Sequence, residues 1–450
     1  MLNPVTRSFA HALASASHSL QAALPFLGNP AFRRTIRRWA ALSILLPTAA
    51  NALPYVWETV TLPAASGAAC ADGSPYRFFV NRNPLTTKTM VMFEGGGACW
   101  TQGTCVNKSG SILSAVNPNG IPENYMSSLD AQAKLGLVTP FTSRVALLGT
   151  TVQTQSWNMV YVSYCTGDTH LGNKVSVYSD EDPASPRVEY HRGNVNVQAV
   201  AAWMKKNMAR PDQLLVTGFS AGGVGSTAQY AAIRESLNPK RSALLADSGP
   251  LYPAPRNGSA AQYPSLPLHN TIRSAWGLDD SAGIITQSFQ KYPGTFDVNN
   301  MGSVTVGLAR LFPNDRLGFA LFQEDADFSR FSYLEFFPEI KNASGDLQKQ
   351  LINAKWRQDI SAWTKAMNLA PANLGYYIPY GRPVNMSHCL TIASFDGTGI
   401  DELLIPSVGT FVDNLLSTSG VAVIRANQKT QKMQPTTAVE WFLINVLGLA

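Results

Sequence analysis

Short apolar runs punctuate the chain, and several end in glycines or acids. Thr87–Phe93, Trp157–Tyr164, Leu214–Val216, Arg241–Ala246 and Leu317–Gln323 have the length and continuous apolar character of central strands. Val56–Leu62 and the aromatic, alternating Tyr76–Val80 read as further strands, and Tyr376–Pro379 as a short one. Helical spacing appears in Gly193–Met208, with Val197, Val200, Ala201, Met204 and Met208 on one stripe. Val224–Leu237, about Ala343–Met367 and about Ala438–Leu449 also read as helices. Two stretches lack this order. Residues 101–155 are rich in Gly, Asn and Ser, with one helical pattern near Asn124–Leu135, and read as a long surface excursion that shapes a cleft. Residues 251–310 are rich in Pro, Gly and Ser, with short helical pieces, and read as a cap-like insertion. Strands alternating with helices predict an α/β domain with a mostly parallel central sheet, helices on its flanks and long loop insertions. No repeat and no Pro/Ser linker calls for a second domain, so residues 53–450 are expected to form one.

The run Leu214–Val216 leads directly into Thr217-Gly218-Phe219-Ser220-Ala221-Gly222, and a helix follows. This is G-x-S-x-G between a strand and a helix, the setting of a nucleophilic serine on a sharp turn. The helix start offers the backbone N–H of Ala221 and a positive dipole end to a developing oxyanion. A glycine-rich turn around a structural serine accounts for the same string less fully, because a second glycine cluster lies upstream. Thr87–Phe93 ends in Glu94-Gly95-Gly96-Gly97, where backbone N–H groups approach a substrate without side chains in the way.

A serine nucleophile needs a base, and the base needs an orienting carboxylate. Only His269 and His388 follow Ser220. His269 falls in the Pro-rich insertion, so His388 is the expected base. In α/β-hydrolases the acid lies between the serine and the histidine. Asp396 and Asp401 follow His388 and are out of order, whereas Asp247, Asp325 and Asp327 each sit at a strand end. The Asp325/Asp327 site is favoured, and spacing alone does not choose between the two. Asp247 reads as structural or cleft-lining, as do Asp168 and His170 after the strand at Trp157–Tyr164.

Charge adds one correction. The net charge is +6, but Arg7, Arg33, Arg34, Arg37 and Arg38 all lie in residues 1–52, which hold no acid. The remainder carries +1, which gives no reason to expect nucleic acid or an anionic membrane as partner. Phe32–Trp39 is basic, Ala40–Leu46 is apolar and Ala50-Asn51-Ala52 is an A-x-A site, the order of an export signal. The paired arginines also suit a twin-arginine route. The apolar run is too short to span a bilayer. Residues 1–52 are thus expected to be a leader, and the mature protein a secreted or periplasmic monomer. Export makes disulfides plausible among Cys70, Cys99, Cys105, Cys165 and Cys389. With no C-x-x-C pair and few histidines, no metal site is expected.

Four motifs in order resemble the pectin acetylesterase family, the pectinacetylesterase and Notum-type serine carboxylesterases. They are Cys70-Ala71-Asp72-Gly73-Ser74-Pro75-Tyr76, Phe93-Glu94-Gly95-Gly96-Gly97-Ala98-Cys99-Trp100, Gly218-Phe219-Ser220-Ala221-Gly222-Gly223 and Ser387-His388-Cys389. The resemblance implies an α/β-hydrolase-like fold and a Ser–Asp–His triad of Ser220 and His388 with an acid in an Asp-x-x-Gln pattern. Asp327-Phe328-Ser329-Arg330 fits that pattern except for Arg, so Asp327 is the first choice and Asp325 the alternative. The resemblance also implies oxyanion donors at Gly96, Gly97 and Ala221, bridges Cys70–Cys165 and Cys99–Cys105, and a free Cys389. The animal branch carries Trp where Gly97 stands, which points here to small acyl groups.

The expected activity is hydrolysis of small acyl esters, acetyl first, on a small molecule or a polysaccharide, without cofactor. Rival readings are an exported lipase or polyester depolymerase with the same triad, and an inactive binding protein on a hydrolase scaffold.

Overall fold

The computed structural model describes residues 56–105, 116–126, 139–446 and 448. The leader lies outside them, as does most of the helix expected near Asn124–Leu135, whose first residues, 124–126, form a turn. Residues Val56–Asn445 fold as one compact unit.

Its centre is a nine-stranded sheet. In chain order its strands are β1 (Trp57–Thr61), β2 (Arg77–Asn81), β3 (Thr89–Phe93) and β4 (Asn158–Val162). A separate hairpin, β5 (Lys174–Tyr178) and β6 (Arg187–His191), comes next. The sheet continues with β7 (Leu214–Phe219), β8 (Ser242–Asp247), β9 (Arg316–Ala320), β10 (Leu374–Ile378) and β11 (Arg425–Asn427). The spatial order is β1-β2-β4-β3-β7-β8-β9-β10-β11. Pairing is antiparallel at β1–β2 and β2–β4 and parallel from β4 onward. This is the mostly parallel α/β architecture that the apolar runs predict.

Every residue of β3, β7, β8 and β10 is buried, which is why these strands read as continuous rather than alternating. The helices Gly193–Asn207 and Ala221–Leu237 and the long helix Gly345–Asn368 turn apolar stripes into one continuous core. Burying each Val, Leu or Met side chain in it contributes about 1.5–3 kcal/mol. Cys70–Cys165 and Cys99–Cys105 are disulfides, and Cys389 is free and buried, the pairing the resemblance implies.

The sheet order places the site. From β3 the chain steps to β4 on one side, and β7 lies on the other. Such a switch point leaves a crevice at the carboxyl ends of β3 and β7, where ligands gather in open α/β sheets. The glycines 95–97 follow β3, and Ser220 follows β7.

Residues 251–310 leave between β8 and β9 and hold three helices, Leu266–Ala275, Ile284–Lys291 and Ser303–Leu311. They pack on the flank. Ser265 Oγ donates to Asp359 Oδ2 of the long helix at 2.6 Å, and Ile284, Tyr292 and Leu308 enclose an apolar cavity with Ala228 and Ala231 of the helix after Ser220. None of them lines the cleft described next.

Candidate active site

Ser220 has φ 56° and ψ −126°, a conformation that L-residues avoid. Its neighbours enforce it. The Ser220 N–H donates to the Asp247 carbonyl at 2.8 Å, tying the turn to the end of β8. A Cβ on Gly218 would sit 2.2 Å from the Gly222 carbonyl oxygen, and one on Gly222 would sit 2.1 Å from that of Phe93. The turn therefore packs backbone on backbone against β3, which only glycine permits. The helix Ala221–Leu237 begins at the next residue. Backbone strain of this kind collects at functional sites.

The second wall is the segment after β3. Gly96 and Gly97 have φ of 141° and 69°. Glu94 anchors the segment: its Oε2 accepts the Tyr164 N–H at 2.7 Å and its Oε1 accepts the Tyr125 hydroxyl at 2.5 Å. Its carbonyl oxygen lies 2.9 Å from His170 Nε2. Burial lowers the His170 pKa to about 4, so the ring is neutral and donates this bond.

His388 lies on a loop that bends through three consecutive positive-φ residues, Asn385, Met386 and Ser387. The buried Arg382 guanidinium donates to the carbonyl oxygens of Cys389 at 2.7 Å, Ser394 at 2.9 Å, and Ile392 and Asp396 at 3.2 Å. The Asp247 carboxylate accepts the N–H groups of Leu390 and Thr391 at 2.9 and 2.8 Å.

The imidazole Nδ1 is 2.9 Å from Asp325 Oδ2 and 3.1 Å from Oδ1. Asp325 is fully buried and is also the N-cap of helix Ala326–Tyr333, accepting from the N–H of Asp327 and Phe328. Asp327, the first choice from the sequence, lies on the other side of the ring, its Oδ2 3.6 Å from Nε2 and its side chain 31% exposed. The geometry therefore gives the orienting position to the alternative, Asp325. The capping position turns Asp325 inward, and one helical step carries Asp327 outward.

Burial alone lowers the His388 pKa, but Asp325, with help from Asp327, outweighs it and holds the ring well above the ordinary imidazole value. Burial pushes the Cys389 thiol up to about 12, so it stays protonated beside the ring.

Ser220, Gly96, Gly97, Asp327 and His388 line one cleft of about 420 Å³ with Val116, Phe219, Asn385, Cys389 and Ile392. The cleft brings together the serine, the histidine and the glycine cluster read from the sequence. Asp247, Asp168 and His170 stand behind it as supports. Asp168 accepts the N–H groups of His170, Gly172 and Gly193, and burial raises its pKa to about 6. His269 is buried in the flank helix Leu266–Ala275. Among the described residues, Cys99, Cys105 and His191 have metal-ligand spacing, but the two sulfurs are joined as a disulfide and are not thiolate ligands. Sequence reasoning gave no role to Glu94 or Arg382. Their signals are a lone acid and a lone guanidinium inside otherwise apolar or glycine-rich stretches.

This geometry has relatives. The family model described as Pectinacetylesterase matches residues 49–266. That stretch holds the triglycine and Ser220, while Asp325, Asp327 and His388 lie beyond it, and it shows the resemblance the motifs carry. Pectin acetylesterase 7 of Arabidopsis thaliana is 23% identical over 205 residues, 44% of this chain; the match spans about half of that relative's length, 46%. Two structures of the Wnt deacylase Notum from Drosophila share the fold. One has a TM-score of 0.52 at 18% identity, covering 82% of this chain and 97% of that one. The other has a TM-score of 0.51 at 16% identity, covering 83% and 96%. The likeness establishes a Notum-like α/β-hydrolase fold. No helix among the described residues is long and apolar enough to cross a membrane.

Proposed function

We propose that this chain is a serine carboxylesterase that removes small acyl groups, acetyl first, from hydroxyls of a small molecule or polysaccharide. One observation carries the reading: His388 holds a buried carboxylate at Nδ1 while sharing a cleft with Ser220 on its strained turn and with the triglycine. The pectinacetylesterase match over the serine-bearing half supports the same chemistry.

In this reading Asp325 replaces Asp327 as the triad acid. It fixes the tautomer in which Nδ1 carries the proton and leaves Nε2 to accept. His388 takes the Ser220 hydroxyl proton as Oγ attacks the ester carbonyl. The oxyanion is met by the N–H groups of Gly96, Gly97 and Ala221, each such donor contributing about 3–4 kcal/mol in a site of this kind. The imidazolium returns its proton to the leaving alcohol. Water, activated by the same ring, then cleaves the acyl-serine. No cofactor takes part. Two disulfides support export to an oxidising compartment.

The test is hydrolysis of p-nitrophenyl esters from acetate to palmitate by wild type and Ser220→Ala. Short esters are expected to react fastest, and the variant to lose about 10⁴-fold or more. A long-chain preference moves the reading to a lipase, and an unchanged rate in the variant overturns it.

A further inference from the structure

Asp325 and Asp327 are two residues apart and do different things. Asp325 turns inward to Nδ1, fully buried. Asp327 faces the cleft, its carboxylate 3.6 Å from Nε2 with about a third of the side chain exposed. In the proposed mechanism Nε2 hands its proton to the leaving alcohol, so that oxygen must come within hydrogen-bond distance of Nε2. The alcohol half of the ester then sits within about 7 Å of the Asp327 carboxylate, by adding one hydrogen-bond length to the separation seen here.

The His388 ring is the cationic group that faces Asp327 in this cleft. Among the described residues lining the cleft there is no lysine or arginine. The other acid, Glu94, is 3% exposed and spends its oxygens on Tyr125 and the Tyr164 main chain. Among the described residues lining the cleft, Asp327 is thus the exposed carboxylate beside the atom that hands the proton to the alcohol.

We infer that Asp327 is a specificity residue that reads the charge of the alcohol half: the site takes acyl esters of uncharged sugars and alcohols and disfavours those with a free carboxylate beside the ester. A neutral hydroxyl donates a hydrogen bond to Asp327, whereas a second carboxylate meets like charge across a partly dry gap. This inference rests on the esterase reading above.

The experiment uses the full chain and a matched pair of substrates, a mono-acetylated methyl galactosiduronate as the free acid and as its methyl ester. Acetate release is measured for wild type, Asp327→Asn, Asp327→Glu and Ser220→Ala. Wild type is expected to favour the methyl ester by about tenfold or more in kcat/KM, the size of a single like-charge contact at this distance. The preference should collapse toward one in Asp327→Asn and survive in Asp327→Glu. Added salt should narrow it in wild type and leave it alone in Asp327→Asn. A helix-capping role alone moves stability and not this ratio. Equal ratios in wild type and Asp327→Asn, or a wild-type preference for the free acid, overturn the inference. If Ser220→Ala still releases acetate, the esterase reading falls first. If it does not and the ratios stay equal, only the role of Asp327 falls.

Discussion

Asp247 holds Ser220 and Thr391 from opposite ends of one residue. Its carbonyl accepts the Ser220 N–H at 2.8 Å, and its carboxylate accepts the N–H and the hydroxyl of Thr391 at 2.8 and 2.6 Å. The Ser220 turn and the His388 loop thus share a reference point at the end of β8. Asp247→Asn keeps the backbone bond and one carboxyl oxygen but sets an amide against two donors. The variant is expected to lose about 2–4 kcal/mol of stability. It should also lose kcat about 10- to 100-fold, with KM for a small ester little changed, because the base drifts while the pocket stays. Urea unfolding beside steady-state kinetics checks both.

The pH profile follows from His388. In the proposed mechanism the ring must be neutral to accept the Ser220 proton. Asp325 and Asp327 favour its charged form and hold its pKa well above the ordinary value. Activity should therefore rise with pH along a limb that lies above the usual imidazole range. Asp325→Asn removes the largest opposing charge, so the limb should move to lower pH. In the same variant kcat should fall by about 10³–10⁴, since the tautomer is no longer fixed. Asp327→Asn should move the limb in the same direction by less. The profile of kcat/KM from acid to alkaline pH is the measurement.

The two disulfides should differ in worth. Cys70–Cys165 closes a separation of 95 residues and Cys99–Cys105 one of 6. Loop-closure entropy puts the first near about 4–5 kcal/mol and the second near about 2–3 kcal/mol. The double serine variants, melted side by side, are expected to fall in that order.

Gly222→Ala tests the close packing of the serine turn on β3. The added methyl would lie 2.1 Å from the Phe93 carbonyl oxygen, against backbone that has nowhere to move. The variant is expected to be poorly soluble or, if folded, to lose about 1–3 kcal/mol with most of its activity. Soluble yield, melting temperature and ester hydrolysis report it.

The central strands were legible because they are buried on both faces, and an unbroken apolar run of that length suits little else in an α/β chain. Ser220, its glycines and His388 were legible because turn chemistry and histidine scarcity are local facts. The hairpin of β5 and β6 was not, and its burial says why. Ser176 and Glu189 are buried, while Val175, Val177 and Val188 are exposed, so the alternation has inverted polarity. The preference for Asp327 over Asp325 as the residue facing Nδ1 differs from the structure for another reason. A residue offset borrowed from a pattern says nothing about which way a helix start turns its carboxylates. The capping position of Asp325, immediately before Ala326–Tyr333, was the available signal. The work of Arg382 was hidden because its four acceptors are backbone carbonyls spread over residues 389–396, which no side-chain pattern announces.

The flank position of residues 251–310 bears on how the molecule tolerates change. This segment enters after the strand that steadies the serine and leaves before the strand that delivers Asp325, yet it contributes nothing to the cleft wall. Lengthening, trimming or replacing its outer turns alters a surface remote from the reacting atoms. It is a natural place to graft a carbohydrate-binding peptide or an affinity handle while the chemistry carries on undisturbed.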